Sequence, residues 1–320
     1  MKRRRLGRTG AMVSEIGYGA WGIGGSQWMG AQDDESLRAL HRAVDLGLNF
    51  IDTALAYGDG HSEQLIGRLL RERKDEIYVA TKVPPGNEEW PASKPASEVF
   101  PAEHIRKSCD TSLANLKVER LDLLQLHVWL DAYLEAPWIG ETLLDLKRAG
   151  KVRWLGISIN DHAPHTALRA VASGLFDTVQ VIHNIYDPTP ADALYPACLK
   201  HDVGVIVRVP FDEGGLLGTI APDTVFPKGD FRNHYFGGER KAQVHARTEA
   251  LKALLGAEAQ SLPELALRFC LSHDAVSTVI PGMRRISSVE SNIATSDGRR
   301  LSPDRMTALR AHAWPRNFYD

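Results

Sequence analysis

Four polar side chains in the first half of the sequence are suited to proton transfer. Asp52, Lys82 and His127 each end a short apolar or β-branched run, and Tyr57 follows Asp52 by five residues. A carboxylate keeps a neighbouring ammonium charged, and a charged lysine lowers the pKa of a nearby phenol from about 10 towards neutral pH. We therefore expect Tyr57 to act as a general acid or base, with His127 orienting and polarising a carbonyl oxygen. This set suits protonation of a nascent alkoxide, and a cofactor must supply the hydride.

Each of these side chains also has an ordinary structural role available. Asp52 can cap a turn and Lys82 can lie on the surface. His127 can be a hydrogen-bonded core residue, and Tyr57 can simply pack against its neighbours. However, adjacent strands lie only about 4.8 Å apart, and the ends of parallel strands converge on one pocket. The occurrence of these residues at three successive strand ends therefore favours a shared site.

Eight runs with strand character are available to position these residues, and segments with helical spacing lie between them. The first six intervals between run ends are 24 to 45 residues long, which suits one strand and one helix each. This alternation predicts a single α/β domain over residues 1–320, a (β/α)8 TIM barrel, with a doubly wound open sheet as the alternative. The eight runs are Glu15–Gly19, Asn49–Asp52, Ile77–Lys82, Leu121–His127, Trp154–Ser158, Thr178–Ile182, Gly204–Arg208 and Ser277–Pro281.

Three further segments fall outside this repeat. Lys2–Val13 has Arg-Thr-Gly near its centre and is typical of a β-hairpin. Pro84–Pro101 is rich in Pro, Ser and Glu, and Asp212–Gly238 is rich in glycine and aromatic residues, so we expect two inserted rim loops. An extra helix should follow the second loop. The predicted helices of the repeat are Asp34–Leu46, Ser62–Leu70, Ala102–Leu116, Ile139–Arg148, Pro164–Val171, Asp192–His201 and Leu262–Leu271.

The composition is that of an ordinary folded protein and argues against several classes of partner. Hydrophobic residues make up 43% of the 320 residues, and 38 Lys and Arg against 40 Asp and Glu give a net charge of −2. This balance argues against binding of nucleic acid or of an anionic membrane. No apolar run is as long as the about 20 residues that a membrane helix needs. The basic residues at positions 2–5 are not followed by the apolar segment of a secretory signal, so we expect a cytoplasmic protein. No feature indicates an oligomeric state.

Cysteine and histidine are the residue types in this chain that most often bind transition metals. Cys109, Cys198 and Cys270 lie far apart in predicted helices, so we expect reduced, half-buried packing residues. His162 and His165 have a spacing that resembles a metal pair, but they lie at a predicted helix start without a third ligand. A solvated helix start is the favoured interpretation, and we predict no metal site.

Short motifs recur in a fixed order over nearly the whole chain. They are Gly17–Trp21, Asp52–Ala54, Tyr57–Gly58, Ser62–Glu63, Ala80–Lys82, Leu126–His127, Gly156–Ser158, Gln180, Asn184, Ile280–Gly282 and Asn292. As an ordered set they resemble the aldo-keto reductase superfamily. The resemblance implies a reversible, NADP(H)-dependent reduction of a small carbonyl substrate, such as an aldehyde, a ketone or a sugar-like carbonyl. The alternatives are a nucleotide-binding, redox-sensing regulatory subunit of the same fold and a metal-dependent barrel hydrolase.

The resemblance also implies roles for the four polar residues. Tyr57 would protonate the carbonyl oxygen, and Lys82 and Asp52 would tune Tyr57. His127 would position the substrate oxygen. These roles agree with those expected from the side-chain chemistry alone.

Polar residues at the ends of the fifth and sixth strands would hold the nicotinamide carboxamide. In this chain they are Ser158, Asn160 and Gln180. Family members commonly have Ser and Asn in tandem, whereas Ile159 separates them here. Asn160 is therefore displaced by one position from the family's pattern.

Arg208, at the end of the seventh strand, occupies a position where the family often has an aromatic residue that stacks on the nicotinamide. A planar guanidinium can stack as well. Its charge would then favour the reduced cofactor. The alternative is that Arg208 turns away to form an ion pair with Asp212 or Glu213.

The resemblance assigns further residues to the rest of NADP(H). Glycines after the seventh strand would allow close approach of the pyrophosphate, and arginines at a helix start would hold the adenosine 2′-phosphate, which favours NADPH. An inert glycine turn, a solvated basic turn and dual cofactor use are the alternatives. The assigned residues are Gly19, Ala20, Trp21, Asp52, Pro210, Phe211, Gly214, Gly215, Leu216, Gly218, Gly282, Met283, Arg284, Ser288 and Asn292.

Tryptophans near the matched motifs are the predicted walls of the substrate pocket. They are Trp21, Trp90 and Trp129. The second rim loop and the aromatic tail 314–320 are further candidates for the pocket wall.

Overall fold

An eight-stranded parallel sheet forms the centre of the computed structural model, which describes residues 1–316. Its strands lie side by side in sequence order, and Ile16 bridges Val279 while Gly19 bridges Gly282. The first strand thereby meets the last and closes the predicted barrel, so the open doubly wound sheet is wrong. Two strands outside this sheet, β1 (Arg3–Arg5) and β2 (Met12–Ser14), form a separate pair. In chain order the eight strands of the barrel are β3 (Tyr18–Gly19), β4 (Phe50–Asp52), β5 (Tyr78–Val83), β6 (Leu121–Leu126), β7 (Val152–Ser158), β8 (Thr178–Ile182), β9 (Gly204–Arg208) and β10 (Val276–Val279).

Helices lie between the barrel strands and cover the outside of the sheet. The predicted bounds of α4 and α10 agree with the structure at both ends, whereas Pro164–Val171 divides into a 3-10 turn and the short helix α6. The helices are α1 (Asp33–Asp45), α2 (His61–Glu72), α3 (Ala96–Val99), α4 (Ala102–Leu116), α5 (Pro137–Arg148), α6 (Leu168–Ala172), α7 (Leu194–His201), α8 (Arg232–Tyr235), α9 (Arg240–Lys252), α10 (Leu262–Leu271), α11 (Ile286–Ala294) and α12 (Pro303–Arg310).

Alternation along each strand decides which side chains reach the barrel interior. In β6, Leu123 belongs to the interior cluster, whereas Leu124 and Leu126 belong to the larger core beneath the helices. Successive side chains of a strand point to opposite faces. Gln125 therefore points inward between its neighbours, and it pairs in register with Lys82 of β5. The same alternation brings polar residues of several strands to one end of the barrel.

The N-terminal hairpin covers the opposite end. β1 and β2 pair antiparallel, as predicted. Leu6 and Val13 join the buried cluster that fills the base of the barrel around Phe50 and Trp154. Gly7 has a φ of +49°, and a Cβ at this position would lie 2.2 Å from the backbone nitrogen of Gly204. The hairpin therefore needs glycine here to seat against β9.

The second rim loop folds around the buried carboxylate of Asp212. Asp212 accepts a hydrogen bond from the Tyr235 hydroxyl (2.5 Å) and lies 3.2 Å from Nη2 of Arg240. Beside them, Phe236 and Val244 form a small separate core. The predicted loop and extra helix are thus a packed substructure that ends in α9.

All three cysteines are free and fully buried. The expectation of half-buried side chains is wrong, because each cysteine lies on the inner face of its helix, in α4, α7 and α10.

Among residues 1–316, no helix has the length and apolar character needed to cross a membrane.

Candidate active site

Lys82 is the centre of the polar cluster at the C-terminal end of the barrel. Its Nζ donates to Asp52 Oδ1 (2.5 Å) and to the carbonyl of Thr53 (2.8 Å), and it lies 3.3 Å from the Tyr57 hydroxyl. The side chain is completely buried. Burial alone lowers the pKa of Lys82, but Asp52 and Tyr57 outweigh it and raise that pKa. The ammonium therefore stays charged beside the phenol.

Two glutamines hold the other oxygen of Asp52. Oδ2 accepts hydrogen bonds from Nε2 of Gln180 (2.7 Å) and Nε2 of Gln125 (3.2 Å). The resemblance assigned Gln180 to the nicotinamide, but in the structure its amide nitrogen orients Asp52. Sequence reasoning missed Gln125, although a glutamine at an inward position of an apolar strand is a signal for a buried polar contact. Gly156 leaves space for it, because a Cβ there would lie 3.0 Å from Cγ of Gln125.

Tyr57 reaches Lys82 from the loop after β4. Burial raises the pKa of its phenol, and this outweighs the lowering effect of Lys82. The expectation that Lys82 brings the pKa of Tyr57 down towards neutral pH is therefore wrong. The free energy needed to remove a phenolate from water exceeds the electrostatic stabilisation that the ammonium provides. The phenol is fully protonated at neutral pH. Tyr57 is thus set to donate a proton, with an ammonium in place to stabilise the phenolate that follows.

His127 lies beside Tyr57, with ring centroids 5.6 Å apart. Burial, followed by the charges of Lys82 and Arg208, lowers the pKa of its imidazole well below the ordinary value. The ring is therefore neutral. Its Nδ1 is buried and has no hydrogen-bond partner among residues 1–316. A neutral imidazole carries one N–H donor, which can orient a substrate oxygen without adding charge.

A cavity of about 1410 Å³ runs from this cluster across the barrel mouth to the start of α11. Asp52, Tyr57 and His127 line one part of it. The other predicted residues that line it are Gly19, Ala20, Trp21, Trp90, Ser158, Asn160, Gln180, Arg208, Pro210, Phe211, Gly214, Gly282, Met283, Arg284 and Ser288.

Four predicted cofactor residues do not line this cavity. Leu216 is fully buried in the core, and Asn292 is buried on α11. A Cβ on Gly215 would meet the carboxylate of Asp212 at 2.4 Å, and Gly218 faces the Leu262 side chain. Gly215, Leu216, Gly218 and Asn292 therefore do not line the empty cavity, and their assignment to the cofactor stays a prediction. These residues shape the loop and helix from behind.

The prediction that Trp129 lines the substrate pocket is also wrong. Its side chain is buried outside the barrel, where it packs edge to face against Tyr133 (5.7 Å) and Phe176 (5.1 Å). Trp129 lies two residues beyond His127 and has left the strand, so the alternation no longer turns it inward.

Trp28, which sequence reasoning missed, and Phe231 of the predicted second rim loop complete the wall. Trp28 and Phe231 lie 5.8 Å and 5.2 Å from the ring of Trp21, and both line the cavity. Phe231 belongs to the aromatic-rich loop Asp212–Gly238, whereas no local pattern marks Trp28. Trp314 packs instead against Tyr186, and residues 317–320 of the predicted tail lie outside the described part of the chain.

Arg208 lines the cavity but pairs with a residue that the sequence did not suggest. Its Nη2 donates to Asp161 Oδ1 (2.6 Å) and to the carbonyl of Ile159 (2.8 Å). The alternative pairing with Asp212 or Glu213 is therefore wrong. Stacking of Arg208 on the nicotinamide stays a prediction, with part of the guanidinium charge compensated by Asp161.

The far end of the cavity has the properties of a phosphate site. Arg284, Arg285 and Ser288 line it beside the first turn of α11. Burial lowers the pKa of Arg284, and the charges of Arg285 and Arg232 lower it further, whereas Asp230 and Glu35 raise it. Gly282 has open space where a Cβ would stand. An anionic group fits this end, because backbone, helix start and cations face it together.

His162, one of the two histidines with a spacing like that of a metal pair, contacts a carboxylate. His162 Nδ1 lies 2.6 Å from the buried carboxylate of Asp187, so its expected solvation at a helix start is wrong. Within residues 1–316, no group of three His, Cys, Asp or Glu side chains is arranged to hold a metal ion.

Comparison with known proteins decides the family. The model of the "Aldo/keto reductase family" matches residues 15–313. The chain belongs to the aldo/keto reductase family. Its members bind NADP(H) and reduce carbonyl compounds, so the protein is an oxidoreductase.

Relatives of known sequence span nearly the whole of this reductase. Aldo-keto reductase YhdN of Bacillus subtilis is 28% identical over 295 residues, which cover 91% of this chain and 87% of the relative. An NADH-specific methylglyoxal reductase of Escherichia coli is 29% identical and covers 92% of this chain and 93% of its own length.

Solved structures agree with the fold. The glycerol dehydrogenase AKR11B4 of Gluconobacter oxydans has a TM-score of 0.79 and 30% identity, and the match covers 97% of this chain and 94% of that one. An aldo/keto reductase of Klebsiella pneumoniae in complex with NADP and acetate has a TM-score of 0.70 and 25% identity, covering 99% and 97% of the two chains.

Proposed function

We propose that this aldo/keto reductase reduces a small aldehyde, ketone or sugar-like carbonyl with NADPH and that Tyr57 donates the proton. The observation that carries the proposal is the contact of the Tyr57 hydroxyl with the buried ammonium of Lys82, 3.3 Å away. Bound NADPH supplies the hydride. A protein that only senses the nucleotide has no need of a proton donor, so the complete set favours the enzyme over a regulatory subunit.

The site residues act in a fixed order on the substrate oxygen. The N–H of neutral His127 orients the oxygen within reach of the Tyr57 hydroxyl, and the proton moves from Tyr57 to that oxygen as negative charge develops there. The resulting phenolate is stabilised by Lys82. Asp52 keeps Lys82 charged and in place, held in turn by its two glutamines.

The cofactor would lie along the cavity with its reactive end near Tyr57. Ser158 lines the cavity at the end of β7 and is the residue we assign to the carboxamide. Arg284, with Arg285 and Ser288, would hold the 2′-phosphate. We therefore expect preference for NADPH, in contrast to the E. coli relative named as NADH-specific.

The aromatic wall favours carbonyl compounds with a planar or apolar substituent. Trp21 contacts Tyr57 at 6.2 Å between ring centroids, and Phe231 packs against Trp21. Flat hydrophobic faces thus stand next to the position of the reacting carbon. Such faces bury apolar substrate surface at little cost in side-chain entropy.

A panel of carbonyl compounds followed by NADPH absorbance tests this proposal. We expect NADPH to quench tryptophan fluorescence and at least one aldehyde or ketone to consume the bound cofactor. Quenching without turnover of any panel member would favour the regulatory alternative. Turnover that is lost to a chelator, without nicotinamide binding, would favour the hydrolase.

We also propose that the reaction takes place in the cytoplasm. The three cysteines are free thiols, as expected in a reducing compartment. Cell fractionation with an antibody to the native protein tests this location.

A further inference from the structure

The first rim loop carries Trp90 over the catalytic histidine. The rings of Trp90 and His127 meet edge to face with centroids 4.6 Å apart, and both line the cavity. Trp90 is 39% exposed, so burial fixes its position only in part. The indole is held over His127 mainly by the way in which its loop is fastened.

Two side chains fasten the outer half of this loop. Asn160 Oδ1 accepts from the backbone N–H of Ala92 (3.1 Å), and Asn160 Nδ2 donates to the carbonyl of Ala92 (2.9 Å). The Tyr133 hydroxyl donates to the carbonyl of Lys94 (2.9 Å). The carboxamide of Asn160 therefore imitates a paired peptide group, two residues from Trp90.

The displaced position of Asn160 explains why it can do this. Ser158 ends β7 facing the cavity, and Ile159 turns into the core beneath the helices. Asn160 then emerges at the rim, where the loop passes. Both of its polar atoms already have a partner in Ala92, so it has a defined role that needs no nucleotide.

We propose that Asn160 is a positioning residue for substrate specificity, which anchors the loop that holds Trp90 against His127, and that it is not a ligand of the nicotinamide. The inference rests on the proposed function. An anchored Trp90 narrows the space above Tyr57 and His127, and it favours carbonyl compounds with a small substituent on that side.

The expected effect of Asn160→Ala is a change in selectivity. Loss of two hydrogen bonds to the loop should raise KM for a small aliphatic aldehyde about fivefold to tenfold, with kcat nearly unchanged. The kcat/KM for a two-ring aromatic aldehyde should fall less, because a mobile Trp90 leaves more space for this substrate. The ratio of kcat/KM for the two aldehydes therefore shifts towards the larger one. The dissociation constant of NADPH, measured by fluorescence quenching, should stay within twofold of the parent value.

Tyr133→Phe is an independent test of the anchor, because it removes the other hydrogen bond to the loop from a side chain that is buried outside the cavity. It should shift the substrate ratio in the same direction. Trp90→Ala should shift the ratio further, and adding Asn160→Ala to it should have no additional effect. If Asn160→Ala instead weakens NADPH binding tenfold or more and leaves the substrate ratio unchanged, Asn160 is a nicotinamide ligand and the inference fails.

A readout that is independent of turnover keeps the two proposals apart. Glu88 and Glu89 are exposed on the same loop, so a glutamate-specific protease should cut it faster in Asn160→Ala and Tyr133→Phe than in the parent. Equal cutting rates in all three proteins would overturn the anchor even if the parent is an active reductase. Failure of the proposed function would appear as a parent without NADPH-dependent turnover, whatever the cutting rates.

Discussion

Replacing Lys82 by Met removes the ammonium that stabilises the Tyr57 phenolate. The two groups are 3.3 Å apart. With an effective dielectric constant of about 20, unit charges at this distance attract by about 5 kcal/mol, which corresponds to a loss of three to four orders of magnitude in rate. We expect kcat for carbonyl reduction to fall by about 10³ or more, with the affinity for NADPH retained.

The same substitution should destabilise the fold, and a second change separates the two effects. Lys82→Met leaves the carboxylate of Asp52 buried without its counter-charge, which costs about 3–5 kcal/mol of unfolding free energy. Asp52→Asn in the same chain removes that charge, and its amide oxygen can still accept from Gln180. The double variant should therefore regain most of the stability but none of the activity. Urea unfolding and single-turnover kinetics measure the two quantities. Parental kcat in a folded Lys82→Met variant would refute the assigned role of the lysine.

Two further predictions concern pH and the cofactor. Because burial raises the pKa of Tyr57, kcat for reduction should be constant through neutral pH and fall only at strongly alkaline pH. The rate of alcohol oxidation, which needs the phenolate, should rise with pH. An inflection near pH 6.5 in the reduction profile would contradict a neutral His127. Arg284→Met should weaken NADPH binding about tenfold to a hundredfold and leave NADH nearly unchanged, because a charge-assisted contact to phosphate contributes about 1.5–3 kcal/mol. Arg299→Met, near the hairpin at the barrel base, is the control, and equal losses for both nucleotides would speak against a 2′-phosphate site.

The clustering of four polar side chains could be predicted from the sequence because the barrel brings the ends of successive strands to one location. Asp52 and Lys82 end runs whose alternation and parallel pairing leave little choice of where their side chains point. Gln125 was equally determined by alternation, two residues before His127. The direction of the pKa shift of Tyr57 could not be predicted from the sequence, since it depends on how deeply the phenol is buried.

Contacts made by loops were not accessible in the same way. The pairing of Arg208 with Asp161 and of Asn160 with Ala92 joins segments whose approach is set by loop conformation. No periodicity constrains such contacts. Trp129 shows the same limit, because a position two residues beyond a strand no longer obeys the alternation that placed its neighbours.

Single-turnover reduction by Tyr57→Phe with bound NADPH tests the central claim most directly. The variant keeps the ring and its packing against Trp21 and His127 but lacks the acidic proton. We predict that NADPH quenches its fluorescence as in the parent and that a saturating carbonyl substrate leaves the bound NADPH unconsumed over many parental turnover times. Oxidation of NADPH at the parental rate would show that the proton comes from another group.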